Sequence, residues 1–560
     1  MTPSAFAKIR RRTFPTATLI LFLMCFVLPA HPLAESTSGP SDPLRQLYSN
    51  RLAFDDAGIP LITIGLLDDQ DRIVISGQGP IEATIYTPAA QTIRTETAGR
   101  LVVAPTRAVP GKTIYDVVVE TVIGGDARAV EAAAAEWRKK GLTVASRRVG
   151  AIFGLDGQVL KNVRHLLIAG SFPDSASAEA EAAKLRAAFD AETHVAPRLE
   201  ALPSGELALS MEDGKPLGTS RDVVFLRSAD GSPLTVHDGV FDPDKNVRGD
   251  RTYIGSLYVT FDRNGKLALG NQVSLETLLL GTVPSEMFAS APPEALKAQA
   301  IAARGHLLAK LGTRHFADPF QLCARQHCQV YGGHGAHKPK TSEAVNATRG
   351  QFLARKGQLV DTVYSASCGG HTESNQFVWH EPPNPDLVGR PDTSNASEYP
   401  HGVTETTLNA FLDQPPSAFC GDAGYNEPYF RWQRSLTVEE VTRLVNQRYT
   451  IGRATALAPG RRGVSGRLVE LTVIGEKGSA VLAPELTIRR VLGGLPSALI
   501  RIRPVQDVSG TIVRWEIAGA GYGHGVGLCQ TGAIGRAQFG QDFRSILKHY
   551  YPQTELIRLY

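Results

Sequence analysis

Residues 274–311 read SLETLLLGTVPSEMFASAPPEALKAQAIAARGHLLAKL. A strand-like apolar run, a Pro-containing turn and a long helical pattern follow one another here, so the reading of this stretch decides the fold around it. Pro292 and Pro293 suit a helix start, because proline gives up a donor that is unsatisfied there anyway, and Gly312 suits its end. Between them Leu296, Ala300, Ala303 and Leu307 form an apolar stripe, which predicts an amphipathic helix. Lys297 and Arg304 share another face, two turns apart. Glu286 sits in the turn, flanked by Val283, Met287 and Phe288. Apolar neighbours disfavour a carboxylate's charged form and move its pKa toward the range of a general acid. The residues alone equally allow a helix-start carboxylate that serves the helix dipole.

Outward from this stretch, 560 residues exceed one ordinary core and predict two to four domains. With 42% hydrophobic and 20% charged residues the chain reads as globular, not disordered or membrane-embedded. Lys8, Arg10, Arg11 and Arg12 precede an apolar run from Ala17 to Ala30, with small residues at Ala30 and Ala34 and no acid before Glu35. Residues 1–34 thus read as a secretory signal, with an uncleaved anchor as the alternative. Export to a periplasm or cell envelope follows, with no membrane span in the mature chain and an oxidising environment for its cysteines. The formal charge of +4 resides in those four basic residues, so the mature chain is near neutral. A broad nucleic-acid-binding surface is therefore excluded. Residues 35–57 are rich in Ser, Pro and Asp and read as a linker. Residues 58–110 alternate apolar and polar positions with Gly punctuation, which predicts short strands.

The texture changes at TIYDVVVETV, where a β-branched strand leads into an alanine-rich helix with Asp126 as N-cap and Gly141 as terminator. The order recurs with VRHLLIAGSF, DSASAEAEAAKLRAAFDA and THVAPRLE. Strand, helix, strand, strand, helix, strand over 113–200 is a compact βαββαβ arrangement of the ferredoxin-like type. Its phrases resemble the SPOR domain, a resemblance that implies binding to peptidoglycan glycan strands stripped of their peptides.

Two further motifs carry chemistry. VYSASCGGHTES runs from strand-like residues into Gly369 and Gly370, a turn that brings backbone close to something. GAGYGHGVGLCQTGAIGRA places five glycines within 519–527, with His524 and Gln530 as the obvious polar contacts. No strand and helix flank it in the manner of a dinucleotide fingerprint. Together LETLLLGTVPSEMF, EALKAQAIAARGHLLA, YSASCGGHTES, GYGHGVGLCQTGA and FRSILKHYYPQTEL resemble, in order, the SpoIID/LytB family of lytic transglycosylases and amidase enhancers. LITIGLLDDQDRIVISG resembles the family's usual beginning, so the SPOR-like part reads as an insertion or a joint.

The resemblance implies an α+β, multi-domain protein: a SpoIID-like catalytic region of mixed strands and helices over 220–560, begun by 58–110, plus the SPOR-type module. It places Glu286 as catalytic acid, Lys297, Gln299 and Arg304 on the accompanying helix, and His524 and Gln530 on a loop facing the sugar. Two departures concern substrate contacts: Cys529 and Thr531 stand where the family has Ser and Tyr, and Gly305–His306 follows Ala-Ala-Arg where an aromatic is usual. The implied activity is non-hydrolytic cleavage between N-acetylmuramic acid and N-acetylglucosamine. The alternative is a non-catalytic protein that binds peptidoglycan and stimulates a cell-wall amidase.

Removal of the signal leaves five cysteines, an odd number that forbids complete pairing. His315, Cys323, His327 and Cys328 offer four N/S ligands, enough to close a structural Zn²⁺ site with no open position. Some members of the family carry a zinc site of this type. A Cys323–Cys328 disulfide remains the alternative, in which case Cys368 and Cys420 pair as well and Cys529 stays free. His334 and His337 are possible substitute ligands. A catalytic zinc hydrolase is the third, weakest functional reading.

Overall fold

Alternation builds the first layers. In Ile81–Tyr86 the buried positions are Ile81, Ala83 and Ile85, and in Ser204–Met211 they are Gly205, Leu207 and Leu209, as expected for strands with one face on a core. The computed structural model describes residues 42–49, 52–87, 92–124, 126–155, 158–189, 193–242, 247–379, 382–395, 397–425 and 427–560. The expected signal, 1–34, lies outside them. The part of 35–57 that is described is no free linker. Asp42 caps the helix Pro43–Leu47, Leu44 and Leu47 are buried, and the Tyr48 hydroxyl donates to the Phe261 carbonyl at 3.2 Å.

Two antiparallel sheets share one apolar core. The first runs Ala53–Phe54, Pro60–Gln70, Leu267–Ser274, Ser256–Phe261, Val223–Ser228, Ile81–Tyr86, Thr92–Thr97, with Leu322–Cys323 added in parallel to Pro60–Gln70. The second runs Pro216–Arg221, Ser204–Met211, Arg100–Val109, Ile73–Gly77, Leu234–Asp242, Val247–Tyr253. Within the second, Val109 lies opposite Ser204. The chain therefore leaves and re-enters one sheet at adjacent points, and everything between is an insertion.

That insertion holds Lys112–Ile123, Ala127–Lys139, Ala145–Val149, Arg164–Phe172, Ser175–Phe189 and His194–Ala201. Its four main strands form an antiparallel sheet in the order His194–Ala201, Lys112–Ile123, Arg164–Phe172, Ala145–Val149. A hairpin, Ile152–Leu155 with Gln158–Lys161, is an addition that the residue pattern did not signal. Asp126 caps its helix as expected, accepting from the amides of Arg128 and Ala129. Asn162 keys the insertion to the rest. Its side-chain amide donates to the carbonyls of Leu308, Ala309 and Leu311, at 2.8–3.0 Å.

Those carbonyls end the helix Pro293–Lys310, whose residues from Ala298 onward are all buried. The amphipathic reading is thus corrected. Ala300, Ala303 and Leu307 face the two-sheet core, while Leu296, Ala298, Ile301 and Ala302 face a second core with the helices Gln530–Gln538 and Phe543–Tyr550. Abundant alanine makes the helix thin enough to be packed on all sides. The preceding run is corrected too: Leu275–Glu286 is a helix capped by Ser274, not a strand entering a turn. A short apolar run has no period that distinguishes the two, and Pro284 ends the helix two residues later instead of preventing it. A third core joins the sheet of Arg431–Thr437, Ile512–Ala520 and Ile500–Gln506 with the helices Val438–Asn446 and Glu485–Val491.

Candidate active site

Glu286 is the last residue of its helix, partly exposed, and its carboxyl group is held by the Val330 amide, which donates to Oε1 at 3.2 Å. Burial lifts its pKa to about 7. The Val330 amide and the positive charge of Lys310 pull the other way without cancelling the burial. A helix C-terminus presents its partial negative charge at this spot, which also favours the protonated acid. The helix is pressed close to the loop bearing Val330. Gly281 leaves no room for a side chain, because a Cβ there would stand 2.6 Å from the Gly333 carbonyl and 2.7 Å from the Tyr331 ring.

Gln530 opens the helix Gln530–Gln538 and donates from Nε2 to the Glu286 carbonyl at 2.9 Å and to Gln299 Oε1 at 3.3 Å. Glu286, Gln299 and Gln530, expected as site residues, therefore meet. Gln299 is fully buried behind the other two. Tyr364 joins them: it feels the charge of Glu286, and its hydroxyl accepts from Gln329 Nε2. Tyr364 and the Val330 amide were not singled out in the sequence. The one signal was that Tyr364 belongs to the strand entering Gly369–Gly370.

The other expected contacts are placed differently. Arg304 is fully buried, with Nε and Nη2 each 2.8 Å from the two oxygens of Glu276. It also donates to the Gln351 carbonyl, so it braces the interior and does not face a ligand. Lys297 pairs with Glu294 at 2.6 Å and lies over the Phe543 ring, at the junction with the C-terminal helix. His524 accepts the Val526 amide on Nδ1 at 3.0 Å, hydrogen-bonds the Tyr364 backbone and packs its ring 5.0 Å from Trp379. Burial and the nearby Arg489 and Arg467 drop its pKa to about 3, so it is neutral in the working range. The glycines between these contacts are there for close approach. Gly527, at φ +69°, would place a Cβ 2.1 Å from the Val363 carbonyl. The acid of the other motif, Glu373, is wholly interior and accepts from Ser374, Val464 and Ser465.

His315, Cys323, His327 and Cys328 converge, one donor atom of each lying within 4.8 Å of all the others. His315 Nε2 is 3.1 Å from the Cys328 sulfur, and His327 Nδ1 is 3.7 Å from each of the two cysteine sulfurs. Asp318 accepts from His315 Nδ1 at 2.8 Å, fixing the ring in the manner of an outer-shell partner. His315 adopts φ +58°, an uncommon backbone conformation for a side-chain-bearing residue. This donor set fits a tetrahedral ion. His334 and His337 pair with each other and are not part of it. The same loop leads within two residues to Val330, so its geometry passes directly to Glu286.

Fold and site together place one partly exposed carboxyl group, that of Glu286, at a helix end between the Val330 loop and the Gly-rich segment that leads into Gln530–Gln538. Residues 263–354 match the stage II sporulation protein family, and residues 373–527 match a domain of unknown function. An uncharacterized protein of Brachyspira hyodysenteriae is 30% identical over 305 residues, covering 54% of this chain and 72% of that one. The amidase enhancer of Bacillus subtilis is 30% identical over 304 residues, 50% of this chain and 40% of its own length. Stage II sporulation protein D of Bacillus amyloliquefaciens is 26% identical over 298 residues, 51% of this chain and 74% of that protein. The chain belongs to the SpoIID/LytB family. Among the described residues, no helix is long and apolar enough to cross a membrane.

Proposed function

We propose that this is an exported, peptidoglycan-binding lytic transglycosylase that cleaves the bond between N-acetylmuramic acid and N-acetylglucosamine in glycan strands. The observation that carries the reading is the placement of Glu286: a carboxyl at a helix C-terminus, held by the Val330 amide and beside Gln530, where burial raises its pKa. Glycosidases that use water need two carboxyl groups on either side of the bond. A single carboxyl suffices when the sugar supplies its own nucleophile. Protonated Glu286 gives its proton to the leaving glycosidic oxygen as the bond to C1 breaks and cationic character develops. The resulting carboxylate takes the proton of the muramoyl 6-hydroxyl, whose oxygen closes on C1. The product has a 1,6-anhydro end, no water is consumed, and Glu286 ends protonated again.

Gln530, Gln299 and Tyr364 hold the carboxyl and its helix end in register, while His315, Cys323, His327 and Cys328 hold a structural zinc ion that shapes the Val330 loop. The inserted sheet, with its βαββαβ order, is read as a SPOR-type module that binds peptide-free glycan. The experiment is mass spectrometry of denuded glycan strands incubated with wild type and with Glu286→Gln. Anhydro ends from the wild type alone are expected; hydrolysed reducing ends, or equal turnover by the variant, would overturn the assignment. The resemblance to the amidase enhancer supports a second reading, in which the chain binds glycan and stimulates a separate amidase. Protein inert on strands but accelerating an amidase would establish it.

A further inference from the structure

A second cluster of metal-binding side chains lies apart from the histidine–cysteine loop. Cys368 follows the strand Tyr364–Ser365, Asp392 lies in a loop, Cys420 is in the short helix Phe419–Asp422, and Cys529 caps Gln530–Gln538. All four are buried, and one donor atom of each lies within 4.8 Å of the other three. The Cys368 sulfur is 3.7 Å from that of Cys420 and 3.3 Å from Asp392 Oδ2. Cys529 accepts the amides of Cys368 at 3.1 Å and Gly532 at 3.2 Å, the pattern of a sulfur carrying negative charge.

Two arrangements compete for these groups. A disulfide needs its sulfurs about 2.05 Å apart and uses only two of the three, leaving the third thiol unpaired. A tetrahedral zinc ion with arms of about 2.3 Å sets its sulfurs about 3.8 Å apart and uses all four donors. The observed separation agrees with the second. Charge agrees as well: three thiolates, one carboxylate and a divalent ion sum to two negative charges. Arg536 supplies one positive charge, with Nε and Nη2 at 3.0 and 2.9 Å from Asp392 Oδ1. Arg431 supplies the other, interacting with Cys368 and Cys420 and anchored on the Gly369 and Phe411 carbonyls. Asp392 Oδ1 is thus engaged by Arg536, which leaves Oδ2 toward the sulfurs. The Tyr550 hydroxyl steadies both oxygens at 3.1 and 3.0 Å.

We propose that Cys368, Cys420, Cys529 and Asp392 form a closed, structural zinc site. Four protein ligands leave no position for a reactive water, so its work is mechanical. It pins both glycine-rich motifs to one point, and Cys529 directly precedes Gln530, the residue that bonds the Glu286 carbonyl. The inference stands whether the protein cleaves glycan or stimulates an amidase.

The test removes the other metal-binding loop with Cys323→Ser/Cys328→Ser in the full chain and measures zinc per protein and zinc X-ray absorption. About one zinc is expected to remain, with three sulfurs and one oxygen around it. Adding Asp392→Asn or Cys420→Ser to that background is expected to lower zinc occupancy at least about tenfold. A metal-free double variant, with Cys368, Cys420 and Cys529 titrating as free thiols or with a Cys368–Cys420 disulfide in non-reducing peptide maps, would overturn the proposal. Should the double variant fail to fold, wild-type protein decides through its mean sulfur number per zinc. About 2.5 or 3 supports the site, and about 2, the number for the histidine–cysteine loop alone, or no zinc removes it.

Discussion

At Glu286 the environment fixes both a rate profile and a stability profile. As the general acid it must be protonated in free enzyme, so kcat/KM on glycan strands is expected to fall as pH rises through about 7. His524 is already neutral well below that range and adds no opposing limb there. The stability effect has a definite sign. Because the folded-state pKa is raised, folding costs nothing extra below the unfolded value of about 4.5 and grows costlier as pH climbs toward 7. Glu286→Gln should therefore abolish turnover yet raise the unfolding free energy from urea titration at pH 8 by on the order of 1–3 kcal/mol after allowance for partial exposure. A variant that loses activity because it is unstable would show the reverse. Arg304 makes the opposite case. Arg304→Ala leaves Glu276 buried without its partner and is expected to cost about 3–5 kcal/mol in denaturant unfolding, whereas a sugar contact would change KM and leave stability alone. Glu286 was legible in the sequence because its apolar neighbours are adjacent in the chain. Arg304's true partner was not, because Glu276 lies 28 residues away and a buried ion pair leaves no local pattern.

Elements whose period is written in consecutive residues were readable, and those fixed by a neighbour were not. The first insertion helix and the start of Pro293–Lys310 follow from a cap and from prolines. The burial of Pro293–Lys310 on every side depends on two cores that only the folded chain brings together: three residues of the stripe face the first, while Leu296 faces the second. Its C-terminal carbonyls show the same dependence, since they are satisfied by Asn162, about 150 residues earlier in the chain. A helix end left without partners exposes orphan acceptors. Asn162→Ala is expected to cost about 1–3 kcal/mol and to speed amide exchange around 308–313 and 150–162 together. Exchange confined to the insertion alone would show that Asn162 does not couple the two. Gly281 makes a comparable contact between the Glu286 helix and its loop. Gly281→Ala should lower stability by about 1–3 kcal/mol through overpacking against Gly333 and Tyr331, read as a shift in the urea midpoint.

Across the whole molecule, the chain's path decides which parts are separable. The insertion begins and ends at Val109 and Ser204, partners in one antiparallel ladder, so a two-residue Asn-Gly turn can close the gap with strand geometry intact. The sheet itself survives its removal, because both flanking strands keep their other neighbours, Ile73–Gly77 and Pro216–Arg221. What excision removes is the Asn162 cap, the Leu160 and Ala151 side chains that pack into the main core, and the sheet face on which Val118, Val149, Leu166 and Ala196 pack with Phe316. Phe316 sits beside His315, so the loss reaches the histidine–cysteine loop and through it Val330. The shortened protein is therefore expected to fold cooperatively with a lower Tm, to keep the raised pKa of Glu286, and to cleave short denuded strands with a higher KM. If the insertion is the glycan-binding part, retention on peptide-free sacculi should drop at least tenfold, equivalent to about 1.4 kcal/mol, while anhydro ends still form. Undiminished retention would assign binding to the main body. Loss of cleavage with retention unchanged would mean that the insertion serves the catalytic loop and not the substrate.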